Sequence, residues 1–103
     1  MSQNSFGLED KALALIKNTL SAYPEITQAK IFGSRALGNF KTYSDIDLVL
    51  FGEISLPLLA TLNEKLENLP LAYNFDTKLY SQISHEPLRE HIDKFGIDIN
   101  VAK

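Results

Sequence analysis

The chain has 103 residues, of which 45% are hydrophobic and 22% charged, with five glycines and four prolines. That is the size and composition of one globular domain, taken as residues 1–103, and it excludes the disordered, fibrous and collagen-like classes. There is no cysteine, so disulfides and thiolate metal sites are ruled out, and a net charge of −3 argues against bulk electrostatic capture of nucleic acid.

A chain of this size buries a core without covalent staples, and the lack of cysteine fits a cytoplasmic protein. Met1 to Gly7 carry no apolar run, so no signal peptide is expected. No window approaches the roughly 18 apolar residues of a membrane span.

Leu8 to Tyr23 reads as a first helix, with Leu13, Ile16, Leu20 and Tyr23 at helical spacing and Leu8, Ala12 and Leu15 widening the stripe. Glu9 and Asp10 suit the dipole of its first turn, and Pro24 ends it. Ile26 to Phe32 reads as a buried strand punctuated by Gly33. Ser34 to Gly38 has room for one or two helical turns. Asp45 to Phe51 is the clearest strand: Ile46, Leu48 and Leu50 point one way, and Asp45, Asp47, Val49 and Phe51 the other.

Ser55 is placed to cap a second long helix, with Pro57 in its first turn and a stripe of Leu59, Leu62, Leu66 and Leu69. A leucine stripe of this kind is core packing. Leu71 to Tyr80 alternates as a third strand, with Asn74, Asp76 and Lys78 on its polar face. A last helix from about Ser84 buries Leu88, Ile92 and Phe95, and after Gly96 the run Ile97 to Val101 suits a short edge strand. No repeat or linker interrupts the order. The connection from Gly33 to Asp45 is short enough to join antiparallel neighbours. The expected fold is therefore α+β, a small mixed sheet with helices packed on one face.

Asp45 and Asp47 project from one strand face, separated by about twice the ~3.3 Å residue rise. Carboxylates so close repel and raise each other's pKa unless a cation lies between them. Hard divalent ions such as Mg²⁺ take oxygen ligands and bridge carboxylates to substrate phosphates. Asp76 on a neighbouring strand would complete a three-carboxylate cluster, the donor set for two ions in an in-line displacement. Gly33 permits close backbone approach to a phosphate, and the following helix start offers N–H groups to it. Ser34 adds a hydroxyl donor, and Arg35 is a candidate for a charge-assisted phosphate contact, weighed evenly against a surface role. Gly33 to Gly38 matches G-x-x-x-x-G, but Asn39-Phe40 stands where a P-loop requires Lys-Ser/Thr.

Taken together, G-S-R-A-L-G (Gly33 to Gly38) and S-D-I-D-L (Ser44 to Leu48) resemble the signature of the DNA polymerase β-type nucleotidyltransferase superfamily. The short chain, with Asp76 in N-F-D-T-K-L-Y, is most similar to the minimal nucleotidyltransferase (MNT) branch. That resemblance covers nearly the whole chain. It implies triphosphate binding by Gly33 and Ser34, metal binding by Asp45 and Asp47, and contact of Asp76 with a metal and the acceptor hydroxyl. Larger relatives carry further domains that hold base and acceptor, so either the acceptor is held by a partner or the site is very open. MNT proteins pair with small helical HEPN-type proteins as toxin–antitoxin modules, and the implied reaction is transfer of AMP from ATP, or of another NMP, to that partner.

Two other readings remain beside it: an antitoxin acting by contact alone, and transfer to a small molecule such as an aminoglycoside. The remaining candidates read as structural. His85 and His91 lack zinc-site spacing, with His91 read as a partly buried helix residue. Lys78 reads as solvated, and Phe40 and Tyr43 as covering the turn.

Overall fold

The computed structural model of the chain describes residues 8–39, 41, 44–99 and 101. The expectations for Met1 to Gly7, Phe40, Tyr43 and Asn100 lie outside these residues. The described elements are α1 (Asp10–Ser21), β1 (Ile26–Phe32), α2 (Ser34–Leu37), β2 (Ile46–Gly52), α3 (Leu56–Glu67), β3 (Phe75–Leu79), a 3-10 turn (Tyr80–Gln82), α4 (Glu86–Phe95) and β4 (Ile97–Asp98). They form an α+β domain around a four-stranded mixed sheet of order β3-β2-β1-β4.

The short link from β1 to β2 makes them antiparallel neighbours, with Phe32 opposite Asp47 and Ile31 opposite Leu48. From β2 the chain needs a helical crossover to return in parallel, and α3 supplies it. β3 then pairs with β2 in a register that sets Ile46 beside Phe75, Asp47 beside Asp76 and Leu48 beside Thr77. β4 adds to the other edge against β1, with Ile97 opposite Ile31.

The alternation along β2 sorts its side chains as expected. Ile46, Leu48 and Leu50 join Leu8, which precedes α1, Ile16 and Leu20 of α1, and Leu62 and Leu66 of α3 in one buried cluster. α3 starts where Ser55 is placed to start it: the Leu58 N–H donates to the Ser55 hydroxyl at 3.2 Å, and Pro57 occupies the first turn. α1 and α3 thus share one face of the sheet. α4 is added across the other face, where Ile92 and Ile83 cover Phe32 and Val49. The aspartate-bearing face is therefore half covered rather than bare.

The structure departs from the sequence reading in several places: α1 is Asp10–Ser21 rather than Leu8 to Tyr23, and β4 is Ile97–Asp98 only. β3 begins at Phe75, not Leu71, because β2 begins at Ile46 and offers residues 71–73 no ladder partner; the last bond is Ile46 N–H to the Asn74 carbonyl, at 2.9 Å. Asp45 precedes β2 instead of opening it, and is exposed. Phe95 ends α4 with 42% of its surface exposed, since only Ile92 of the expected trio is fully covered.

Candidate active site

β1 and β2 run in opposite directions, so the end of β1 and the start of β2 meet at one end of the sheet, and parallel β3 starts there too. Gly33, Asp45, Asp47 and Asp76 therefore gather at this end although they are far apart in sequence.

Asp47 is the centre of the group. It lies beside Asp76 across the β2–β3 ladder and opposite Phe32 across β1–β2. Burial pushes its carboxyl above the usual carboxylate range; Asp76 and then Asp45 push it further the same way, while Lys78 and His91 pull it back. Acidic neighbours around a half-buried carboxylate form the pattern that a bound cation relieves. Gly33 stands directly against it. Its φ of 76° and ψ of −151° lie where side-chain-bearing residues are strained, and a Cβ at this position would overlap the Asp47 carboxylate oxygen. Both the turn and the packing require glycine here.

Ser34 follows on α2. This helix has only four residues and is closed by Gly38 at φ 86°. It is too short for a macrodipole of any weight, so what the turn offers is backbone donors and the serine hydroxyl. Asp76 is half exposed and pairs with Lys78 on the same strand face at 3.5 Å. A solvent-exposed pair of this kind adds little stability and leaves Asp76 open to an incoming group.

Arg35 faces inward. It is buried to 1% exposure, and its Nε and Nη2 donate to the Ser44 carbonyl at 3.3 and 3.0 Å. Its guanidinium lies over the Tyr73 ring, 5.1 Å from the centroid. Burial lowers its pKa, opposed by Tyr73 and Asp47; the group nonetheless stays charged. In this position it ties α2 to the backbone immediately before Asp45.

The donor set of Asp45, Asp47 and Asp76 is all hard carboxylate oxygen, and the Asp47 carboxyl is raised first by burial and then by the charge of the other two. That chemistry fits Mg²⁺. Among the described residues, however, no three His, Asp or Glu side chains converge tightly enough to hold an ion. The fold thus brings the sequence-marked residues to one end of the sheet, while the three carboxylates stay apart.

One contact here has no counterpart in the sequence reading. The Gly33 N–H donates to Nε2 of His91 at 3.0 Å. The only sequence signal for His91 is its place beside Ile92 on the buried side of α4; nothing in the spacing points to a glycine 58 residues away.

The family model described as polymerase beta, nucleotidyltransferase matches residues 15–101. No match was found among the curated proteins. Among solved structures, a chain of a toxin–antitoxin with AMP-PNP superposes with a TM-score of 0.69 at 19% identity, covering 89% of this chain and 73% of that one. A chain of a mutant of the toxin–antitoxin MntA–HpeT gives 0.64 at 18% identity, covering 89% and 71%. One from a complex of tri-AMPylated Shewanella oneidensis HEPN toxin with MNT antitoxin gives 0.58 at 19% identity, covering 84% and 71%. At such identities the likeness is one of fold. Among the described residues no helix is long and apolar enough to cross a membrane.

Proposed function

Because the chain belongs to the polymerase beta nucleotidyltransferase family, we propose that it is a Mg²⁺-dependent nucleotidyltransferase that moves AMP from ATP to a hydroxyl of a HEPN-type partner protein. The observation that carries this reading is the pairing of Asp47 with Asp76 across β2–β3, with Asp47 packed on the Gly33 turn. That arrangement puts carboxylates beside a glycine turn, which supports reading them as metal ligands next to a phosphate site. The structural neighbours from toxin–antitoxin complexes, one with AMP-PNP and one with an AMPylated HEPN toxin, support the choice of nucleotide and partner.

In this reading Gly33 lets the backbone approach the triphosphate, and Ser34 donates its hydroxyl to a phosphate oxygen. Arg35 keeps the turn and the aspartate segment in one unit. Asp45, Asp47 and Asp76 are the residues that would hold Mg²⁺, two ions in this reading, and when bound the metal would supply charge neutralisation for the triphosphate and the leaving group. Asp76, open to solvent, accepts the proton of the acceptor hydroxyl. The hydroxyl oxygen forms a bond to the α-phosphorus, the bond from that phosphorus to the bridging oxygen breaks, and pyrophosphate leaves with its electron pair.

The test is incubation with α-labelled ATP, Mg²⁺ and the protein encoded beside this one. Label is expected on the partner, and Asp47→Ala is expected to abolish it. No transfer by the wild type, or equal transfer by Asp47→Ala, overturns the reading. An Asp45→Asn, Asp47→Asn double variant that silences the partner as fully as the wild type does would assign the effect to contact alone.

A further inference from the structure

The β1 ladder ends at Phe32 opposite Asp47, and on the other side β4 reaches only Ile31. The next amide, that of Gly33, therefore meets no strand. Backbone donors that are partly buried need a partner, and this one finds it on α4: the Gly33 N–H donates to His91 Nε2 at 3.0 Å. In this contact Nε2 is the acceptor, which leaves Nδ1 as the ring's donor position. The ring is wedged between aromatic neighbours, edge-on to Phe32 at 6.2 Å and tilted against Phe95 at 5.5 Å between centroids. Beside it in sequence, Ile92 is fully buried with Phe32, Val49 and Ile83, which fixes α4 against the sheet.

We propose that His91 is a positioning residue of the nucleotide site, holding the Gly33 peptide in the orientation that aims Ser34 and supports Asp47. This rests on the nucleotidyltransferase reading and extends it to an element outside both motifs. A glycine at φ 76° has no side chain to anchor it. Its carbonyl accepts from the Ala36 and Leu37 N–H groups of α2, and His91 holds its N–H on the other side. The Asp47 carboxylate lies against the Gly33 Cα. Movement of this one peptide therefore displaces the serine donor and removes the surface on which the central carboxylate rests. His91 provides this hold from α4, through the Gly33 N–H.

The test uses the full chain as wild type, His91→Leu and His91→Gln. Leucine removes the acceptor, whereas glutamine places an oxygen acceptor at similar reach. Binding of a non-hydrolysable ATP analogue with Mg²⁺ is measured by calorimetry, and exchange of the Gly33 amide by NMR. Loss of one such bond predicts that His91→Leu binds the analogue about tenfold more weakly and exchanges the Gly33 amide about tenfold faster, with His91→Gln within about threefold of wild type in both. If His91→Leu does not fold, His91→Phe keeps the ring contacts and carries the same expectation. Unchanged binding by the acceptor-less variant, or equal weakening in the glutamine variant, overturns the assignment while leaving the proposed function intact. A wild-type protein that binds no nucleotide overturns both.

Discussion

At the residue scale the site turns on Asp47. Its carboxyl is held above the usual range, first by burial and then by Asp76 and Asp45. The folded state therefore binds that proton more tightly than the unfolded chain does. Above the raised pKa the ionised group costs the fold stability, and the cost disappears as pH falls through the raised value toward the ordinary carboxylate pKa of 3.8. Asp47→Asn is accordingly expected to melt at or above the wild-type temperature at neutral pH without metal. The gap should narrow as pH falls through that window in a series of thermal melts. Transfer by the same variant should drop about a hundredfold or more, the cost of removing one electrostatic group from a transferase site. A variant that is both less stable and fully active would contradict the account. Such an exchange of stability for activity is common where like charges are gathered for function.

At the element scale, what matters is how four short segments are held together. α2 is a single turn with no cluster of buried apolar residues of its own, and Arg35 is its buried anchor, bonded to Ser44 and stacked over Tyr73. Tyr73 comes from the segment before β3, so one side chain ties the glycine turn, the approach to β2 and the approach to β3. Lysine cannot reproduce the planar fork or the stacking. Arg35→Lys is expected to lose about 1–3 kcal/mol in urea unfolding, the range for a charged hydrogen bond left unmade. Nucleotide affinity should fall with it, because the aspartates lose their register against the turn.

Much at this scale is legible in the sequence. The β2 alternation, the Ser55 cap and the bounds of β1 follow from local chemistry: period-two burial, a hydroxyl one residue before a helix, and a glycine after the last strand residue. Residues 71–74 alternate like a strand and yet lie outside β3, because alternation records which side chains suit a strand, not whether a partner strand extends to meet them. Arg35 beside Ser34 is open to two readings, and its inward turn depends on the Ser44 carbonyl and the Tyr73 ring, both distant in sequence. The role of His91 leaves no local trace, since its partner is a backbone amide and nearly any residue type supplies one.

At the scale of the whole molecule, the domain is a sheet with two helices closing one face and a third closing half of the other. This leaves the open end of the second face to the acidic residues and the glycine turn. Ligand binding there should therefore be read by the entire fold. With Mg²⁺ and a non-hydrolysable ATP analogue at about a hundred times the dissociation constant, linkage adds about 2.7 kcal/mol. For a domain near 100 residues this corresponds to a rise in Tm on the order of 10 °C. The Asp45→Asn, Asp47→Asn variant should show no such rise in the same calorimetric scan. An equal rise in that variant would place the nucleotide elsewhere.

The sequence by itself determined the parts. An alternating strand must send Asp47 to the side away from Ile46, Leu48 and Leu50, and a Gly-Ser step after a strand must make a turn; both follow from periods of a few residues. Only the tertiary structure decided how the parts meet. The parallel register of β3 on β2, set by the length of the α3 crossover, put Asp76 beside Asp47 and not one residue away on the opposite face. The packing of α4 on the aspartate side half-buried Asp47, lifted its pKa and brought His91 to Gly33. These are long-range choices, made by which surfaces fit when the core closes, and short-period patterns carry no record of them.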